Sequence, residues 1–216
     1  MDTRRALLVD AFTSEPLSGN AAGVVPDAEG LSDQQMQAVA RELNASETAF
    51  LLPSSEADRR VRYFTPTQEV DLCGHATIAS HGWLAEEDDI GDSATLETNV
   101  GVLDIDIEDG VVWMTQDTAD VTRVDIEYER VADALGVDHA TLEDIGADLP
   151  LATASTGLPF LVVPVNFLEA ISGLEPDVTA IAELTEELDV TGIYAFSFDA
   201  LEADSTLHGR MFAPAA

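Results

Sequence analysis

The sequence predicts an α+β protein in which one arrangement of strands and helices is used twice. Three observations predict it. Short apolar β-type runs alternate with amphipathic helical stretches along the 216 residues. The element order of the first half is a glycine-centred turn and strand (SGNAAGVV), a helix, a strand (ETAFLL) and RYFTPTQ; it returns as STGLPFLVVPV, helices, TGIYAFSF and GRMFAPAA. Both halves close on an arginine leading into Phe-Thr-Pro or Phe-Ala-Pro, at Arg62 to Pro66 and at Arg210 to Pro214. A repeated unit of this kind sets two similar domains face to face, with a site in the cleft between them. The expected domains are residues 1–116 and 117–216.

The elements follow in order. Residues 6–12 and 22–25 are strand-like, separated by the turn-rich TSEPLSGN. Ser32 is placed to N-cap a helix running through Leu43, with Met36, Val39, Ala40 and Leu43 as its apolar stripe. Residues 48–52 and 60–64 read as strands, and a second helix follows Gly74 through Ala76, Ile78, Ala79 and Trp83. ATLETNV, GVLDIDIED and VVWMTQD are β-rich, with an Asp-Gly turn at Asp109 and Gly110. VDIEYERVADALGV, NFLEAISGL and DVTAIAELTEELDV are helical; LATASTGLPFLVVPV gives two strands, and GIYAFSFD and HGRMFAP one each.

Composition excludes several classes. A hydrophobic fraction of 46% argues against global disorder. There are 42 acidic residues against 9 basic ones, a net charge of −33, and every basic residue is arginine. The acids are spread along the chain, with Glu86 to Asp89 the longest run. Spread negative charge without lysine reads as surface solvation in concentrated salt; an acidic recognition surface is the other reading. No basic patch exists to neutralise phosphates, so nucleic acid is not an expected partner. The single cysteine, Cys73, rules out an intrachain disulfide and a cysteine-rich zinc site. The N-terminal MDTRRALLVDAF carries Asp10 within its short apolar run and reads as a first strand instead of a signal peptide. No stretch approaches the ~20 apolar residues of a membrane span. A cytoplasmic location with no membrane partner is expected.

The densest chemistry lies in FTPTQEVDLCGHATIAS, residues 64–80. Cys73, Gly74 and His75 stand where a loop gives way to a helix, whose first turn offers unpaired N–H groups and the positive end of the dipole. Gly74 leaves room for a ligand to approach, which makes a seat for a carboxylate. His75 is available for a hydrogen bond or proton transfer, or is simply structural. Glu47, in Ser46-Glu47-Thr48 at the mouth of an apolar strand, is a candidate proton-transfer acid if partly desolvated; otherwise it is one more surface acid. Ser18 to Ala21 forms a Gly-Asn turn.

These residues carry a resemblance. VDAFTSEPLSGNAAGVV, ELNASETAFL and RYFTPTQEVDLCGHATIAS, in that order and spacing, resemble the PhzF-like family of phenazine-biosynthesis-type isomerases, which share the two-domain fold of diaminopimelate epimerase; VTGIYAFSF and HGRMFAPAA match its second half. The resemblance implies a pseudo-duplicated fold, each half a curved mixed sheet or barrel around a central helix. It implies Glu47 as the general acid/base, with Gly74 and His75 in the substrate-contacting loop and Asn20 in the first-domain turn. Cys73 stands where related epimerases carry a catalytic cysteine and is here expected to be a packing residue; Asp71 is a secondary candidate. It also implies a helix-start segment after the second Phe-Ala-Pro, so the second half is expected to be incomplete; a strand edge left exposed there would favour self-association, and a homodimer is the expected form it would take.

The expected activity is isomerisation or epimerisation of a small carboxylate-bearing metabolite by proton transfer, without metal or organic cofactor. The alternative is a small-carboxylate-binding protein without chemistry. A nicotinamide enzyme is disfavoured because SGNAAG has the wrong spacing, and a cysteine hydrolase because no triad accompanies Cys73 and His75. The charge reading has a direct test. The thermal denaturation midpoint is expected to rise between low and molar KCl, and an unmoved midpoint would remove the salt-adaptation reading.

Overall fold

The computed structural model describes residues 3–87, 89–116, 118–143, 149–201, 203 and 205–214. Asp88 of the acidic run, Asp117 at the expected boundary and the last two alanines lie outside them. Contacts divide the chain into two compact units, Met1–Gln116 and Asp117–Ala216.

In unit 1, β1 (Leu7–Ala11) pairs antiparallel with β2 (Asn20–Val25). The crossover helix α1 (Asp33–Leu43) returns the chain to β3 (Thr48–Leu52), parallel to β2, and β4 (Arg59–Phe64) runs antiparallel to β3. α1 forms where the sequence places it because Ser32 and Gln35 close a capping box and Asn44 ends the helix in the left-handed region at φ 52°. The short β5 (Glu69–Val70) folds back on β4, and α2 (Gly74–Glu86) follows. A meander of β6 (Ser93–Thr98), β7 (Gly101–Glu108) and β8 (Val111–Met114) then extends the sheet in the order β1-β2-β3-β4-β6-β7-β8.

Alternation along the strands gives this sheet two apolar faces. Phe50 and Phe64, packed edge to face, meet Met36 and Ala40 of α1 on one side. Ala22, Val24, Ala49, Leu51 and Tyr63 meet Ala76, Ala79 and Leu84 of α2 on the other. α2 touches β1 and β8, the two ends of the sheet, as well as β2 and β3, so the sheet curls around it. Ala76, Thr77, Ala79, Ser80, His81 and Leu84 are all buried, which is why a helix without a polar face is stable here.

Unit 2 opens with β9 (Asp120–Arg123), α3 (Tyr128–Leu135) and α4 (Ala140–Glu143). β10 (Ala152–Ser155), β11 (Pro159–Pro164), α5 (Leu168–Ser172), α6 (Val178–Leu188), β12 (Gly192–Ser197) and β13 (His208–Phe212) complete it. Its sheet runs β13-β12-β11-β10-β9, and residues of all four helices join Leu161, Val163, Ile193 and Ala195 in one core on one face. α6 is capped at Asp177, whose carboxylate accepts from Thr179 and Ala180 N–H.

The duplication is explicit in the topology. β1-β2-β3-β4 pair antiparallel, parallel and antiparallel, and β10-β11-β12-β13 pair in the same sequence. The repeated arginine has a repeated job. Arg62 lies over the Phe64 ring at 5.2 Å, and Arg210 over Phe212 at 5.1 Å. Arg62 grips Glu69 through two bonds of 2.7 and 2.6 Å and Asp33 at the start of α1 through one of 2.7 Å. Arg210 instead donates to the carbonyls of Ile171, at 3.0 Å, and Leu174, at 3.3 Å, around the end of α5. Each arginine ties the fourth strand of its motif to a neighbouring helix.

Gly136 ends α3 at φ +67°, and a Cβ there would overlap the Glu175 carbonyl; Gly30, at φ +82°, has nothing within 4 Å. Gly136→Ala is therefore expected to cost about 2 kcal/mol or more in urea denaturation, against about 1 kcal/mol for Gly30→Ala. Equal losses would show that the contact at Gly136 is relieved cheaply.

Candidate functional site

The site is built at the mouth of the curled sheet of unit 1. β3 begins at Thr48, so Glu47 sits one residue before it, its carbonyl accepting from Gly23 N–H at 2.9 Å. α2 begins at Gly74 with Cys73 as the N-cap residue. Tyr63 on β4 and Thr77 on α2 share a buried hydroxyl hydrogen bond, and Thr77 Oγ1 donates to the Cys73 carbonyl at 2.7 Å. Sheet and helix start are thereby locked in register. Burial raises the Tyr63 phenol far above its ordinary value, so this link stays neutral and hydrogen-bonded.

Glu47, Cys73 and His75 converge, each offering a donor atom within 4.8 Å of the others. His75 Nε2 lies 3.4 Å from Glu47 Oε2 and 3.3 Å from Ser46 Oγ, while its Nδ1 lies 3.3 Å from Cys73 Sγ. The side chains of Glu47 and His75 are 17% and 13% exposed, and Glu47 Oε2 is wholly buried without a hydrogen-bond partner. The Nε2 contact is close enough for electrostatic attraction but off the line of a hydrogen bond. A buried carboxylate oxygen left unpaired is costly, which marks the place where a donor or a proton is wanted.

Burial pushes the Cys73 thiol up to about 12, and the Glu47 charge pushes the same way; the N–H groups of Ala76 and His75 oppose them and lose. Burial also holds His75 below its ordinary value, against the pull of Glu47. Both groups are neutral at neutral pH. A protonated Cys73 thiol has two acceptors in reach, His75 Nδ1 and the Glu47 carboxylate, and an N–H on His75 Nε2 would face Ser46 and Glu47. Beside them the first-turn amides of α2 have no acceptors within the helix. The same three side chains are of metal-ligand type. The positive end of the helix dipole weighs against a cation there.

The structure thus brings together Glu47, His75 and Cys73, with Gly74 beside them. The site is open at Gly74, where a Cβ would meet nothing closer than Met114 Cε at 3.8 Å. It does not bring Asp71 into the cluster: that residue is exposed on the loop after β5. Asn20 opens β2, exposed and opposite Ala11. Ser46 is the residue that sequence reasoning passed over; its only signal was its place beside Glu47. A surface hollow of about 480 Å³ lined by Asp33, Gln37, Arg41, Phe64 and Glu69 opens on the α1 face of the sheet, away from this cluster. Arg62 already holds both of its carboxylates.

A curled sheet around an apolar helix, its strand motif repeated in a second unit, with a carboxylate facing the helix start, defines an epimerase-type isomerase fold. The chain matches the phenazine biosynthesis-like protein family (PhzC-PhzF) over residues 9–216, and it belongs to that family. Relatives are named isomerases. The uncharacterized isomerase YddE of Escherichia coli K12 is 40% identical over 96% of this chain and 70% of its own length. The trans-2,3-dihydro-3-hydroxyanthranilate isomerase of Pseudomonas aeruginosa is 33% identical over 84% of this chain and 64% of its own. Among solved structures, the PhzF-family protein of Bacillus anthracis superposes with a TM-score of 0.90 at 32% identity, covering 99% of this chain and 73% of that one. A hydroxyproline epimerase from Agrobacterium vitis, 14% identical with a TM-score of 0.58 over 97% of this chain and 70% of its own, shares the fold.

The neutral thiol has a measurable consequence. At pH 8 the folded protein is expected to react with Ellman's reagent roughly a thousand-fold more slowly than the urea-unfolded chain, because so little thiolate is present. Comparable rates would mean that Cys73 is ionised and available for chemistry.

Proposed function

We propose that the protein is an isomerase that shifts a proton between carbon atoms of a small carboxylate-bearing metabolite, with Glu47 as the group that carries the proton. The observation that supports it is the buried, unpartnered Oε2 of Glu47 at 3.4 Å from His75 Nε2, beside the first turn of α2.

The substrate carboxylate docks at the start of α2, on the open side at Gly74 and under the positive end of the helix dipole. A C–H bond of the substrate breaks and its proton goes to Glu47, while the electron pair spreads into the conjugated carboxylate. Negative charge grows on oxygens already facing fixed amides and the helix dipole, so no solvent reorganisation is needed as it develops. The new O–H of Glu47 then breaks, and its proton forms a C–H bond at another carbon. Substrate and product are isomers and Glu47 ends as it began. Neutral His75 keeps its Nε2–H beside the carboxylate and orients it without competing for the proton. Cys73, protonated, packs against His75 Nδ1 and the Glu47 carboxylate and takes no part in the proton transfer.

The test is proton NMR in deuterium oxide at molar KCl with a panel of small unsaturated carboxylates, among them trans-2,3-dihydro-3-hydroxyanthranilate, named for the Pseudomonas relative. Deuterium is expected to enter a carbon position of at least one of them, and Glu47→Gln is expected to slow this at least about a thousand-fold, within the range for loss of a general acid/base. Exchange that survives Glu47→Gln undiminished would reject the assignment, and a ligand that binds without exchange would point to a pure binding protein.

A further inference from the structure

The mouth of unit 1 also suits a chemistry that proton transfer leaves unused. Glu47, Cys73 and His75 supply a carboxylate oxygen, a sulfur and an imidazole nitrogen, all within 4.8 Å of one another. In a chain with 42 acidic residues, no other trio of His, Cys, Asp or Glu among the described residues brings its donors so close. His75 Nε2 and Glu47 Oε2 lie 3.4 Å apart without a hydrogen bond between them. That separation fits the edge of a tetrahedral metal shell, because Zn–N and Zn–O bonds of about 2.1 Å set their donors roughly 3.4 Å apart. Oε2 is also buried with no partner, so one donor of the set is already desolvated and unsatisfied.

We propose that Glu47, Cys73 and His75 form an inhibitory site for one zinc ion, which blocks proton transfer by taking Glu47 as a ligand. Bonds form from zinc to Glu47 Oε2, Cys73 Sγ and a ring nitrogen of His75. The S–H bond breaks and its proton leaves to water, with no change of oxidation state. The open side at Gly74 leaves the fourth position to a water molecule. Drawing donors now within 4.8 Å to the roughly 3.6 Å of a zinc shell asks for side-chain shifts of about 1 Å.

The electrostatics favour the ion once both acids count. Burial and the Glu47 charge keep the thiol protonated in the free protein. A dication between the two groups answers both influences, since a coordinating thiol is deprotonated outright. The dipole of α2 opposes the cation with roughly half a charge, against a full negative charge on each of the carboxylate and the thiolate. The net charge of −33 draws cations towards the chain. Mixed sulfur, nitrogen and oxygen donors select zinc over Mg²⁺ and Ca²⁺, which take oxygen. The blockade rests on Glu47 as the proton carrier; the binding does not.

Cobalt(II), added to the tag-free chain in molar potassium nitrate, is the probe, because its spectrum reports both sulfur ligation and geometry. A sulfur-to-cobalt charge-transfer band and the intense visible bands of a tetrahedral ion are expected to saturate at about one ion per chain. Zinc is expected to displace them, and about a hundred-fold excess of Mg²⁺ is not. The sulfur band is expected to vanish in Cys73→Ala, and Glu47→Gln and His75→Gln each to weaken binding at least about ten-fold. Weak visible absorption without a sulfur band would mean that scattered surface carboxylates hold the ion, and would overturn the site. That outcome is read on the unaltered chain, so a variant that fails to fold cannot mask it. In the deuterium-exchange assay, saturating zinc is expected to slow exchange at least about a hundred-fold, and EDTA to restore it. Sulfur-bound cobalt with exchange unchanged under zinc would overturn the blockade and the role of Glu47 together. A zinc-free chain that exchanges nothing would fail the Glu47 reading alone, and the cobalt spectra would still decide the site.

Discussion

A helix without a polar face cannot stand at the surface, and α2 is such a helix. Its stability depends on apolar surroundings on several sides, which the unit 1 sheet supplies by curling until both of its ends touch the helix. That constraint fixes the chemistry. Once α2 is enclosed, and Tyr63 has pinned Thr77 and through it the Cys73 carbonyl, the first turn of the helix has one place to be. Glu47, at the entry to a strand on which the helix packs, is carried to the same place from a distant part of the chain.

The duplication shows which parts of the motif the backbone needs and which it leaves free. Arg62 and Arg210 both lie over a phenylalanine two residues on and both tether a helix, but one uses carboxylates and the other carbonyls. The geometry of the fourth strand is retained and its partners are not. The position matching Glu47 is Gly192, where a Cβ would collide with the Phe212 carbonyl, so unit 2 has no room for an acid at that point. One strand motif therefore carries a carboxylate at its mouth in unit 1 and a glycine at the same position in unit 2.

Charge couples fold and site. A net charge of −33 repels small anions as well as itself, and the carboxylate substrate proposed above would meet that field before it reached α2. Concentrated salt shortens the reach of such a field to a few Å, and on the salt-adaptation reading this would relieve the fold and let the local positive end of the helix dominate. Seven of the nine arginines hold structure: Arg62 and Arg210 brace strands, and Arg4, Arg5, Arg59, Arg60 and Arg130 pair with acids.

Much of this was legible in the sequence. Ser32 and Gln35 announce α1 because capping is local, Asp109-Gly110 announces a hairpin for the same reason, and the Arg-Phe-Pro endings reveal the repeat. Glu47, Gly74 and His75 were legible as candidates from residue type and spacing. β5 and β9 were not read, since two- and four-residue strands are defined by their partners. Asp71 and Cys73 are two positions apart and equally plausible on paper, yet one is exposed and the other buried against Glu47. The sequence by itself determined the element order, the duplication and the candidate chemistry, because these depend on neighbours along the chain. Tertiary structure decided which candidates meet, which face of each sheet is covered and which groups are neutral, because burial and approach are set by residues far apart in sequence.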